Sequence, residues 1–134
     1  MDLADKIRNS NLLTEIFGEW PSFHDAQVLK IVLDRAPSGE FCGPALEAYI
    51  HVFEITSEVD KDGFYKLTNH THVELAFLEI DELSLEDFNH QNVLNSLIVR
   101  KTLEGYDLIL YGIYGVSASI SSRYLRVELS PWQP

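Results

Sequence analysis

One cysteine, five prolines and seven glycines in 134 residues leave little room for several familiar classes of protein. The lone thiol, Cys42, cannot close an internal disulfide, so a cystine-stapled secreted scaffold is excluded. The proline and glycine content is far from that of a collagen-like or low-complexity chain. No apolar run approaches the roughly 20 residues that a membrane-spanning helix needs. The N-terminal segment lacks the basic start and apolar stretch of a secretory signal, and a cytoplasmic location is the expectation. Positive charge is scarce as well. Ten Lys and Arg face 21 Asp and Glu, for a net charge of −11 with histidines neutral. A surface of that sign repels nucleic acid and anionic membrane on average and favours a basic partner.

What is present is ordinary globular material. Hydrophobic residues make up 46% and charged residues 23%, enough for one hydrophobic core and one domain over 1–134. The first seventeen residues read as helix, with Asp2 as cap, Leu3 and Ile7 four apart, and Leu12, Leu13, Ile16 and Phe17 at helical spacing. Asn9, Ser10 and Asn11 interrupt that stripe, which allows two short helices or one bent one. Gly18 and Pro21 then stop it.

From Gln27 the period changes to two. Gln27–Asp34 reads as a strand. Leu46–Ile55 places Leu46, Ala48, Ile50 and Val52 on one face and Glu47, Tyr49, His51 and Phe53 on the other. Pro37-Ser38-Gly39 and Asp60-Lys61-Asp62-Gly63 are turn signals. Val73, Leu75 and Phe77 alternate in a further strand that Leu83 and Leu85 extend or replace. Asn89–Leu97 breaks the alternation and suits a short helix or turn. Ile98–Leu103, Tyr106–Tyr114 and Val116–Leu129 return to strand, punctuated by Gly105 and Gly115. Connections too short for crossover helices make neighbours antiparallel. The expected fold class is therefore α+β: a meandering antiparallel sheet of six to seven strands, an N-terminal helix over one face, and a short central helix or turn.

Catalytic signals are weak. Adjacent His24 and Asp25 can ligate a metal in phosphohydrolases, but such sites need further ligands on a helical framework, and fixed hydrogen bonds at the helix–sheet junction explain the pair better. His70 and His72 share one strand face at a spacing that can chelate zinc. Two ligands are too few, and nothing in the sequence brings His24, His51 or His90 to them. Cys42 has no neighbouring base, and there is no Gly-x-Ser-x-Gly elbow or glycine-rich phosphate loop. No catalytic residue, metal or cofactor is assigned, and a metal-dependent hydrolase built on His24 and Asp25 stands only as the alternative.

Acidic residues carry more information. Glu79, Asp81, Glu82, Glu86 and Asp87 crowd within nine positions, and Glu54, Glu58, Asp60 and Asp62 form a second concentration. If the two met at one end of the sheet, their field would steer a cationic partner. A solvated face is the plain alternative. Among the aromatics, Trp20, Phe23, Tyr49, Tyr65, Phe88, Tyr111, Tyr114, Tyr124 and Trp132 include candidate interface anchors, although a small sheet protein needs most such residues in its core.

The stretch Phe17-Gly18-Glu19-Trp20-Pro21-Ser22-Phe23-His24-Asp25-Ala26, running into a strand, resembles the opening motif of a bacterial immunity-protein family from polymorphic toxin systems, immunity protein family fifty. His72-Val73-Glu74-Leu75-Ala76-Phe77, Leu83-Ser84-Leu85 and Phe88-Asn89-His90-Gln91-Asn92-Val93-Leu94 look like its central portion. The resemblance implies a cytoplasmic inhibitor of a cognate toxin domain; the net charge of −11 adds the expectation that this toxin has a basic surface, a nuclease being one candidate. It implies neither nucleic-acid nor membrane binding, and a homodimer or a non-toxin interaction module is compatible with it. On this reading Glu79, Asp81, Glu82, Glu86, Asp87, Glu54 and Glu58 face the partner. The motif residues Trp20, Phe23, His24, Asp25, Asn89, Gln91 and Asn92 hold the scaffold.

Overall fold

A computed structural model describes residues 7–37 and 43–130. Cys42, Asp2, Leu3, the Ser38-Gly39 pair and Trp132 lie outside them. One helix, α1 (Asn11–Phe17), precedes six strands: β1 (Gln27–Asp34), β2 (Ala45–Val59), β3 (Tyr65–Glu86), β4 (Val93–Lys101), β5 (Tyr106–Tyr114) and β6 (Ser117–Ser130). All strand pairs are antiparallel, and the order β1-β2-β3-β6-β5-β4 closes on itself as a barrel. Closure is what the alternation pattern does not announce. Two three-stranded meanders, β1-β2-β3 and β4-β5-β6, are sealed along β3–β6 and again where β1 meets β4. A closed sheet buries one face of every strand in a common interior.

That interior is built from the alternate residues expected. Leu46, Ala48, Ile50 and Val52 from β2 meet Val73, Leu75 and Phe77 from β3, Leu108 and Leu110 from β5, and Ile120, Leu125 and Val127 from β6. All are nearly or fully buried, at about 1.5–3 kcal/mol for each large aliphatic side chain. Leu13 of α1 joins this core, and Leu12, Phe17 and Trp20 pack against it.

Three expectations are corrected. Among the described residues the helix begins at Asn11, because Asn9 adopts φ 65° and Arg8 instead forms a parallel bridge with Arg126. Gly18 ends it as expected, at φ 81° with its N–H donating to Thr14 O. Second, Val93–Leu97 is strand rather than helix. Register shifts at Val93/Leu94 and Leu94/Ser96 break the alternation that would have shown it. Third, Tyr65–Thr71 pairs with β2 and lengthens β3 to 22 residues, although its polar composition conceals this.

Two bulges shape the acidic end of β3. Glu79 sits at φ 56°, and Ile80 N–H donates to Pro44 O. Ile80 pairs with Ser122 and Glu82 with Ser121, so Asp81 is the extra residue. Pairing with β2 stops at Leu78, and β3 continues along β6 alone. No helix among the described residues is long and apolar enough to cross a membrane.

Candidate partner-binding surface

The bulge at Asp81 turns the acidic run of β3 toward the β4–β5 hairpin. That hairpin is tightly made: Thr102 N–H donates to Gly105 O, Gly105 N–H donates to Thr102 Oγ1, and Lys101 Nζ donates to both Thr102 O and Gly105 O. A side chain at position 105 would collide with the Ser122 carbonyl, so only glycine lets the hairpin lie this close to β6. Between the two elements lie adjoining clefts of about 290 and 510 Å³ that share Asp81 and Glu104. Five carboxylates line them, from Glu79, Asp81, Glu82, Glu104 and Asp107, against the single guanidinium of Arg123. Arg123 reaches Glu79 at 3.9 Å, and Asp107 accepts a 2.7 Å hydrogen bond from Ser121. Leu103, 99% exposed, stands on the rim.

The two acidic concentrations in the sequence do not meet. Glu54 pairs opposite Thr68 and Glu58 lies 3.9 Å from Lys66, at the far end of β3 from Glu79. Glu86 pairs with Ser117 and Asp87 begins the β3–β4 connection, so neither lines the clefts. The residues that complete the acidic lining, Glu104 and Asp107, come from a different hairpin and had no local signal in the sequence.

The histidines behave differently. His51 lies opposite His72 in the β2–β3 ladder, and its Nε2 is 2.9 Å from His70 Nδ1. The Phe53 ring lies 5.3 Å from that of His51. His51 is 9% exposed, and burial first, then the neighbouring His70 and His72, push its pKa below the ordinary 6.5. Strand pairing thus brings His51 to His70 and His72, which the sequence had placed on one strand face without it. Among the described residues no group of three or more His, Cys, Asp or Glu has a geometry that could hold a metal ion. His24 lies elsewhere, 3.3 Å from Asp25 and more than half exposed.

The motif residues converge on the barrel seam. Phe23 and Asp25 both adopt left-handed backbone, φ 63° and 65°, which swings the chain from β2 toward β4. Asp25 N–H donates to Leu94 O, Leu94 N–H to Ala26 O, and Val28 N–H to Asn92 O. Asn92 is 3% exposed at φ 46°. Its Oδ1 accepts from Asn89 N–H at 2.8 Å and Val116 N–H at 3.1 Å, while its Nδ2 donates to Asn89 O at 2.6 Å. Asn89 Oδ1 in turn accepts from Gln91 N–H at 2.8 Å. Trp20 packs on Phe23 with ring centroids 5.7 Å apart, and Phe23 is 1% exposed. Compared with family models, residues 9–130 match the one described as Immunity protein 50.

The chain belongs to the Immunity protein 50 family. The match takes in α1 and all six strands, and so the clefts and the seam alike. Neither a curated protein nor a solved structure matches significantly. In this family member the outer barrel wall carries a further charged group. Tyr49 donates a 2.9 Å hydrogen bond to Glu47, which, with burial and the nearby Glu74, pushes the phenol up to about 12. Burial, then the Glu47 and Glu128 carboxylates, raise Glu74 as well. Arg126 Nε lies 3.1 Å from Glu128 on the same wall.

Proposed function

We propose that this chain neutralises a cognate toxin domain by stoichiometric occlusion, itself transforming nothing. Membership of an immunity-protein family supports the inhibitory role. The observation that carries the mode of action is the acid-lined pair of clefts between β3 and the β4–β5 hairpin, five carboxylates to one guanidinium on a chain of net charge −11. Such a concave field attracts a basic face and raises its association rate, and Leu103 on the rim supplies apolar contact that charge alone cannot. A toxin that must hold a phosphate backbone, a nuclease for example, needs Lys and Arg in its working groove, and a carboxylate-lined surface suits that groove. The motif residues at the seam act as fold determinants and the acidic lining as the contact surface.

The direct test is co-expression with the toxin domain encoded beside this chain. Growth is rescued by this chain and not by an unrelated acidic protein of similar size. Reversing Glu82 and Glu104 to Lys slows association about tenfold or more at low salt and much less at high salt. Reversing Glu86 and Asp87, outside the clefts, has the smaller effect. An on-rate untouched by the Glu82 and Glu104 reversal removes the clefts from the interface.

A further inference from the structure

The path that Phe23–Ala26 takes to reach β4 leaves something behind on β2. β1 starts its pairing with β2 at Gln27 opposite His51. Upstream of Gln27 the chain has already crossed to β4, through the left-handed Phe23 and Asp25. β2, however, runs on to Val59. Among the described residues its edge beyond His51 on the β1 side has no neighbouring strand, and β3 alone pairs with it. Backbone strain of about 1–3 kcal/mol at each left-handed non-glycine residue is sustained to route the chain this way.

The vacated place is a cleft of about 480 Å³ between the α1–β1 loop and residues 52–55 of β2. Phe17, Pro21, Phe53 and Ile55 give it apolar walls, and Glu19 and Glu54 stand in its lining. The backbone of this edge keeps a regular course. Val52 pairs with Thr71 and Glu54 with Thr68, so the extra residue of that bulge lies on β3, where Asn69 has φ 53°. Only past Ile55 does β2 itself bulge, with Glu58 N–H turned onto Thr56 Oγ1. Four regular edge residues and the cleft therefore coincide. At the end of this stretch Ile55 pairs with Leu67, and farther on Val59 pairs with Tyr65. Because Leu67 and Tyr65 are two apart on one strand, both pairs share a face, and all four side chains are 43–63% exposed.

We infer that residues 52–55 of β2 accept an added β-strand from the toxin domain, an extended segment bearing Lys or Arg toward Glu19 and Glu54 and apolar side chains toward Phe53 and Ile55. The inference rests on the immunity reading above and adds a second, main-chain-bonded contact to the acidic clefts. A pre-formed edge supplies hydrogen bonds that any extended backbone satisfies, while the flanking walls select side chains. A second copy of this chain is disfavoured as occupant, since −11 would meet −11.

Amide hydrogen exchange resolved residue by residue, on the full chain with and without the toxin domain encoded beside it, tests this. In the complex, outward-facing amides among residues 52–55 slow by about tenfold or more. The Ile55→Asp variant, at a position already 52% exposed, unfolds at the wild-type temperature but binds about tenfold more weakly. A complex that forms with these amides and the affinity of Ile55→Asp both unchanged overturns the inference and leaves the immunity reading standing. Amides already slow in the isolated chain overturn it too, because the edge is then covered by this chain's own terminal segment or, if the slowing grows with concentration, by a second copy. Absence of any complex overturns both readings.

Discussion

Replacing Asn92 by alanine tests the account of barrel closure most sharply. The substitution deletes an acceptor shared by Asn89 N–H and Val116 N–H and a donor to Asn89 O. With Asn92 only 3% exposed, water has no ready access to replace them. Two orphaned backbone donors cost about 1–3 kcal/mol each. Holding alanine at φ 46°, where asparagine is tolerated, adds about 1 kcal/mol. A central value of about 5 kcal/mol compares with a total stability of about 7–20 kcal/mol for a chain of this length. The corresponding fall in Tm is about 15–20 °C. Urea unfolding followed by tryptophan fluorescence, with calorimetry for Tm, measures it. Asn92→Asp, which keeps both acceptances and loses the donation, falls between the two. A loss below about 1 kcal/mol for Asn92→Ala refutes the reasoning, because the β1–β4 backbone bonds alone would then close the barrel.

Gly115→Ala destabilises by about 3 kcal/mol in the same assay, since φ is 84° and a Cβ would lie 2.5–2.9 Å from Asn89 Oδ1, Asn92 Oδ1 and Asn92 N. His51 gives stability a pH dependence. Its folded pKa lies below the unfolded 6.5, so the unfolded chain binds the extra proton; stability is complete above 6.5 and declines as pH falls through 6.5 toward the folded value. His51→Phe flattens that limb of the urea-midpoint profile, and an unchanged slope would assign the dependence to other groups. Glu47→Gln replaces the charged acceptor of Tyr49, and the phenol, read by ultraviolet titration, returns from about 12 toward the ordinary tyrosine value.

Much of the sheet was legible. Leu46, Ala48, Ile50 and Val52 alternate with Glu47, Tyr49 and His51 because one face of β2 is buried, and the Asp60–Gly63 turn carries its own residue preferences, with Gly63 at φ 86°. The start of β4 was hidden because bulges destroy the period of two on which the reading depends. The beginning of β3 was hidden because Lys66, Thr68 and Asn69 are exposed on an extension that leaves the barrel, where no core imposes a pattern. The candidate site was half visible. Glu79, Asp81 and Glu82 stood out as a run, whereas Glu104 and Asp107 joined them only through the β5–β6 ladder, in which Asp107 pairs with Ser121 and Tyr106 with Ser122.

Composition and periodicity by themselves determined the sign of the surface, the predominance of antiparallel strand and the identity of most core residues. Each of these follows from side-chain chemistry and the two-residue repeat of an extended chain. Closure into a barrel, the meeting of His51 with His70 and His72, the separation of Glu54 from Glu82 and the open edge of β2 were decided only in three dimensions. Pairing between strands distant in sequence follows from which edges remain unsatisfied after local hairpins form, and from the few left-handed residues, Phe23, Asp25, Glu79 and Asn92, that redirect the chain among them.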